Sequence, residues 1–162
     1  MSKSTKQHQQ VSDEYFAGES ISASYAFPFP PSVVWAALLD GPTWTEWLAI
    51  DSVDWTSPKP FGVGTTRTIK LGKDVVEEVF FAWENERRMA FRFDKTSLPI
   101  KAAAEDYVLT ETPEGCRLDF TFKVTAMFPL NLVVKNKIKS GFIKGVPKLD
   151  AYIRDNLEKF RA

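Results

Sequence analysis

The chain has 162 residues, 44% of them hydrophobic, and its 21 basic residues balance 21 acidic ones. That is the length of one domain, with ample apolar content for a core, and a formal charge of zero offers no bulk attraction for nucleic acid. Cys116 is the only cysteine, so an internal disulfide is excluded and a reducing cytoplasm fits best.

Residues 1–10 are polar and lack the apolar core of a secretory signal, and residues 1–18 read as a flexible tail ahead of a single domain at 19–162. His8 lies in that tail and is the only histidine. A Ser-His-Asp or Cys-His centre inside the fold is thereby excluded, as is any metal site needing two histidines. No run of 18 apolar residues occurs, so no transmembrane segment is expected.

Ile21, Ala23, Tyr25 and Phe27 alternate with small residues and predict a strand. Pro31 suits a helix start, Val33, Val34, Ala37 and Leu38 give that helix an apolar face, and Gly41-Pro42 breaks it. A second short helix then carries Trp44, Trp47 and Leu48. About six strands follow, beginning with a short one at Val53 and Trp55 and continuing across 65–71, 75–83, 89–93, 103–109 and 117–124. Their short turns imply an antiparallel meander.

From 130 to 160, Leu132, Ile138, Phe142, Val146, Leu149, Ile153, Leu157 and Phe160 recur mostly three or four residues apart, which is the apolar stripe of one long helix. Pro147 should kink it near Ile143, and Gly141 and Gly145 should let something approach its backbone. The expected fold is α+β: a curved antiparallel sheet of about seven strands wrapped around a long C-terminal helix, with two short helices after the first strand.

Period two fixes which side chains face that helix. Cys116, Leu118, Phe120, Phe122 and Val124 point inward, and so do Met89, Phe91 and Phe93. Tyr107 and Leu109 turn inward and bring Glu105 with them, while Val79, Phe81, Trp83 and Glu77 form the inward set of their strand. Arg67 shares parity with Ile69 and Leu71.

The order of elements and several local motifs resemble the START-like superfamily, also called SRPBCC, the helix-grip, Bet v 1-like or polyketide cyclase/dehydrase and lipid transport group. The matching residues are Pro30-Pro31-Ser32-Val33-Val34-Trp35, then Asp40 and Trp47, Gly62-Val63-Gly64-Thr65, Glu78, Arg87-Arg88-Met89 and Gly115-Cys116-Arg117-Leu118. The resemblance spans about 19–160 and implies the helix-grip fold. It carries over no catalytic residue, because the group holds lipid and hormone binders, cyclases, coenzyme carriers and chaperone cofactors.

A curled sheet with one helix seldom fills its own interior, so a ligand cavity is expected. Its wall comprises Tyr25, Trp35, Phe81, Trp83, Phe91, Phe93, Tyr107, Phe120, Phe122, Phe142, Val146 and Leu149, with Arg67 and Glu105 as polar anchors. Arg67 and a glutamate serve equally well as a structural ion pair. The expected function is binding or transport of a hydrophobic small molecule such as a lipid, isoprenoid or polyketide-like compound, without catalysis, cofactor or metal. One alternative is a cyclase or dehydratase using Glu105, Glu77 or Tyr107. Another is a membrane- or partner-docking module, since Lys135, Lys137, Lys139, Lys144 and Lys148 fall in a stretch free of acids.

Overall fold

The computed structural model describes residues 4–161. Residues 1–3 of the expected tail and the final residue of the expected domain lie outside the described range. A meander of antiparallel strands forms one sheet, in which β2 (Ile21–Phe27), β3 (Ser52–Trp55), β4 (Thr66–Leu71), β5 (Asp74–Glu84), β6 (Arg88–Thr96), β7 (Ala102–Thr112) and β8 (Gly115–Thr125) take the order β2-β8-β7-β6-β5-β4-β3. The chain folds so because each strand from β4 to β7 is followed by a connection too short for anything but an antiparallel return. Gly72 and Gly115, both at positive φ, close two of these turns.

The sheet gains an eighth strand from a region expected to be a mobile tail. β1 (Lys6–Gln7) pairs with Thr96 and Lys95 of β6. The β6–β7 ladder ends at Arg92 and Ala104, so β1 takes the place beside β6 that β7 leaves. His8 follows it, buried, its N–H donating to the Asp94 carbonyl at 2.8 Å. A 3-10 helix (Asp13–Phe16) then packs on the outer face of the sheet, where the Tyr15 hydroxyl meets Thr125 Oγ1 at 2.7 Å. The polar composition that reads as a tail is that of a segment lying on the surface, and its main-chain groups fill places the sheet leaves open.

Between β2 and β3 stand α1 (Pro31–Leu39), with Pro31 in its first turn, and α2 (Gly41–Trp47). Asp40 caps α2, accepting from the Thr43 amide at 3.1 Å and the Thr43 hydroxyl at 2.7 Å. Its other carboxylate oxygen reaches Lys159 of the terminal helix at 3.2 Å. The long helix α3 (Leu130–Asp155) runs through Pro147 without interruption and ends at Asn156, after which α4 (Leu157–Arg161) completes the stripe. α3 packs on α2, β2 and β8.

Two contacts fix α3. A Cβ on Gly145 would collide with the Trp47 carbonyl oxygen, so the expected close approach is to α2, while a Cβ on Gly141 would meet nothing. Asp150 accepts from the Tyr25 hydroxyl at 2.8 Å and from Arg154 at 2.9 Å, tying the helix to the edge strand β2.

Candidate functional site

β4, β5 and β7 bring one cation and two carboxylates to the inner face of the sheet. Arg67 on β4 lies directly opposite Glu78 on β5 in the ladder, and Glu105 stands on β7 between Phe91 and Phe122 of its neighbours. Arg67 and Glu78 are both buried, and Arg67 Nε donates to Glu78 Oε2 at 2.5 Å. The Tyr107 hydroxyl donates to Glu105 Oε1 at 3.4 Å.

Glu78 was not among the residues expected here, and its place corrects the reading of β5. The inward set of that strand is Val76, Glu78 and Phe80, all buried, in place of Val79 and Phe81, and Glu77 is turned away with them. The β5–β6 ladder has two register irregularities, and the one on β5 accounts for this. Asp94 is the extra residue of β6 between the Glu77–Lys95 and Glu78–Phe93 pairs, and Phe81 is the extra residue of β5 between the Phe80–Phe91 and Ala82–Ala90 pairs. Beyond Phe81 the parity flips back, and Trp83 faces inward as expected. Phe81 itself leaves the interior and meets Phe16 on the outer face, with ring centroids 6.1 Å apart.

Aromatic rings enclose the Arg67 guanidinium. Its central carbon lies 4.3 Å from the Trp44 ring centroid, 4.5 Å from Phe91, 5.0 Å from Phe80 and 5.3 Å from Trp55. A desolvated cation gains about 2 kcal/mol or more from such a ring face, which helps to hold the charge out of water. Arg67 Nη1 nevertheless finds no hydrogen-bond partner, and neither do the indole nitrogens of Trp47 and Trp55. Buried donors of this kind are uncommon.

One guanidinium can neutralise one carboxylate. Glu78 is in contact with it, and burial holds that carboxyl above its ordinary value against the opposing pull of Arg67. Glu105 is left with the proton. Burial, then the nearby Glu78 charge, pushes its pKa up to about 8, against the opposing pull of Arg67 and the Tyr107 hydrogen bond. Burial and Glu105 also raise the Tyr107 hydroxyl well above its ordinary value.

The interior expected to be hollow is crossed by rings in mutual contact. Phe120 stacks on Phe142 at 4.5 Å and Tyr107 meets Phe120 at 5.2 Å and Trp44 at 5.7 Å, while Trp47 closes on Phe142 at 6.0 Å. Trp35 meets Trp83 edge-on at 5.2 Å, and Phe93 meets Phe122 at 6.4 Å. Val146 and Leu149 are buried in the same core. Tyr25 belongs to its rim, and burial, then the hydrogen bond to Asp150, pushes its pKa up to about 12. Cys116 is enclosed, and burial raises its thiol to about 11, which leaves it a small hydrophobe. An open depression of about 250 Å³ lies against the outer side of the Arg67–Glu78 pair, lined by Thr66, Thr68, Glu77, Val79 and Lys95 among others.

A family model described as polyketide cyclase / dehydrase and lipid transport matches residues 19–162. The chain belongs to that family. Among curated proteins it is 44% identical over 94 residues to an uncharacterised protein of Mycobacterium tuberculosis strain H37Rv and to another of Mycobacterium bovis. Those matches cover 56% of this chain and span about half (56%) of each relative's length.

Among solved structures, a START superfamily protein from Mycobacterium smegmatis matches with a TM-score of 0.71 at 10% identity, over 85% of this chain and 99% of that one. The protein TTHA0849 from Thermus thermophilus matches at 0.70 and 17%, over 85% and 99%. The protein MLL2253 from Mesorhizobium loti matches at 0.65 and 21%, over 85% and 98%. These likenesses establish the helix-grip fold. The family is one of hydrophobic-ligand and cyclase/dehydrase-like folds, and no helix among the described residues is long and apolar enough to cross a membrane.

Proposed function

We propose that this chain binds a small hydrophobic molecule carrying one anionic or hydrogen-bond-accepting group, held between α3, α2 and the sheet. The observation that carries this reading is the buried Arg67 guanidinium: four aromatic rings surround it and its Nη1 is unpartnered. An apolar wall with a single charged anchor is the usual composition of a small-molecule site. Phe91, Phe120, Phe122 and Phe142 would face the apolar body, and Glu105 and Tyr107 would orient its polar end. Trp35, Trp83, Phe93, Val146 and Leu149 back these rings, while Tyr25 holds the helix to the rim.

The rings now fill the space, so the ligand must part α2 from α3. Pro147 supports that route, because it removes the N–H that would reach the Ile143 carbonyl, about half a turn from the Gly145–Trp47 contact. A second access lies at residues 58–64, where Phe61 stacks over Trp55 at 4.3 Å. The lone, buried Cys116 supports a reducing, cytoplasmic setting.

Titration with 1-anilinonaphthalene-8-sulfonate, a fused apolar ring system with one anionic group, tests the proposal alongside native mass spectrometry of the gently purified protein. Replacing the pair together, Arg67→Met with Glu78→Met, avoids stranding a buried charge. Wild type binds the dye with its near-UV circular dichroism intact, and the double variant binds about tenfold or more weakly, as loss of a charge-assisted hydrogen bond requires. Equal affinity in the two proteins rejects Arg67 as the anchor. A folded wild type that takes up neither this dye nor a fluorescent fatty acid rejects the binding reading.

The Glu105 carboxyl favours a second reading. With its pKa near 8 it holds a proton at neutral pH and can give it to a bound carbonyl or hydroxyl as a general acid. Turnover of a bound polyketide-like compound that is lost in Glu105→Gln, with binding retained, distinguishes this from simple carriage.

A further inference from the structure

Six large hydrophobic side chains are exposed among the described residues, and five of them fall within one short stretch. Met127 (75% exposed) and Phe128 (76%) stand in the turn before α3, and Leu132, Val133 and Ile143 lie on the helix itself. They are not scattered, so chance exposure does not account for them.

The charges in this stretch are of one sign. Lys137, Lys139, Lys144 and Lys148 are exposed on α3, and no acidic residue occurs between Leu130 and Leu149. Lys135 meets Glu19 of the segment before β2 at 3.7 Å. Helical spacing puts Leu132, Asn136, Lys139, Ile143 and Pro147 on one line and Val133, Lys137, Lys144 and Lys148 on the adjacent one. Together they form the outward face, opposite the Phe142, Val146 and Leu149 stripe that enters the core. Because the chain as a whole is neutral, the compensating acids lie elsewhere and the molecule is polarised.

We propose that this face of α3, with the Met127-Phe128 turn at its head, docks on an anionic lipid surface. Lysines flanking exposed apolar side chains match that surface in both respects. The ammonium groups reach the phosphates while the apolar tips enter the headgroup boundary, and the lysine stems lie along the same boundary. An open depression of about 270 Å³ lies along this face between Asn136, Lys139, Ser140, Ile143 and Lys144, and its shape suits a headgroup. This surface does not depend on the interior site, and it stands whether or not that site takes a ligand.

The 162-residue chain is sedimented with vesicles of phosphatidylcholine alone and of phosphatidylcholine with phosphatidylglycerol, at low and at high salt. It partitions onto the anionic vesicles only, and less so as salt rises. Joint replacement Lys137→Glu, Lys139→Glu and Lys144→Glu lowers partitioning by about a hundredfold, as three lost attractions to the surface require. Met127→Ser with Phe128→Ser lowers it by about tenfold without changing the salt dependence. Circular dichroism checks each variant, and should the triple variant misfold, Lys139→Glu alone with the wild-type salt series decides. Wild type that stays in the supernatant with anionic vesicles, partitions equally onto neutral ones, or is indifferent to charge reversal overturns the proposal.

Discussion

The two halves of α3 share one backbone and have opposite fates. Every buried residue of the helix falls at its midpoint or beyond, from Phe142 to Ile153, where Gly145 lies against Trp47 and Asp150 holds Tyr25. The stretch before Phe142 has none, and its exposed Leu132 and Val133 stand among lysines. A run of apolar residues at helical spacing therefore says that a helix forms, and its neighbours decide whether the stripe is core or surface. Here α2 covers only the second half.

The sharpest way to break this comparison is to truncate one apolar side chain in each half. Phe142→Ala should cost about 3–5 kcal/mol, because Phe142 stacks on Phe120 and closes on Trp47, whereas exposed Leu132→Ala should fall within about 0.5 kcal/mol. Urea midpoints at constant slope measure both. Similar costs would mean that Leu132 joins Leu130, Val134 and Ile138, which pack partly buried against the core.

The two glycines sharpen the same contrast. Gly145→Ala drives a methyl group into the Trp47 carbonyl and should lose about 3 kcal/mol, in the upper range for overpacking. Gly141→Ala enters open space within a helix and should gain about 0.5–1 kcal/mol. A loss at both positions would place a second close contact on the helix.

A third test separates the interior cluster from the basic surface. The folded-state pKa of Glu105 is raised from 4.5 to about 8, so the folded protein holds a proton that the unfolded chain releases. Its stabilising effect is complete below pH 4.5 and is lost as pH rises to about 8, with a slope on the order of 1 kcal/mol per pH unit between them. Denaturation across that window should show the decline in wild type and a flatter profile in Glu105→Gln. An unchanged profile would put the proton elsewhere.

Much of this was readable in the sequence. The strict alternation from Cys116 to Val124 fixed β8 and its inward face, and the same parity placed Phe91, Glu105 and Tyr107 correctly. β5 was not readable, because the extra residue at Phe81 flips the face of every side chain before it relative to Trp83 without leaving any mark on composition. That concealed Glu78 as the partner of Arg67, although a buried arginine requires a carboxylate and Glu78 was already part of the family resemblance. The filled interior was unreadable for a different reason. Which rings touch depends on the spacing of α2 and α3, and that is set by one glycine.

The two-residue strand Lys6–Gln7 has a consequence for handling the protein. It caps the end of β6 at Lys95 and Thr96, where β7 has already departed. Trimming the chain before His8 would bare a short run of main-chain donors and acceptors there, and unprotected sheet margins of that sort recruit strands from other molecules. Shortened versions prepared for crystallisation should then self-associate at concentrations where the complete chain stays dispersed, while amino-terminal fusions that keep residues 4–18 should behave.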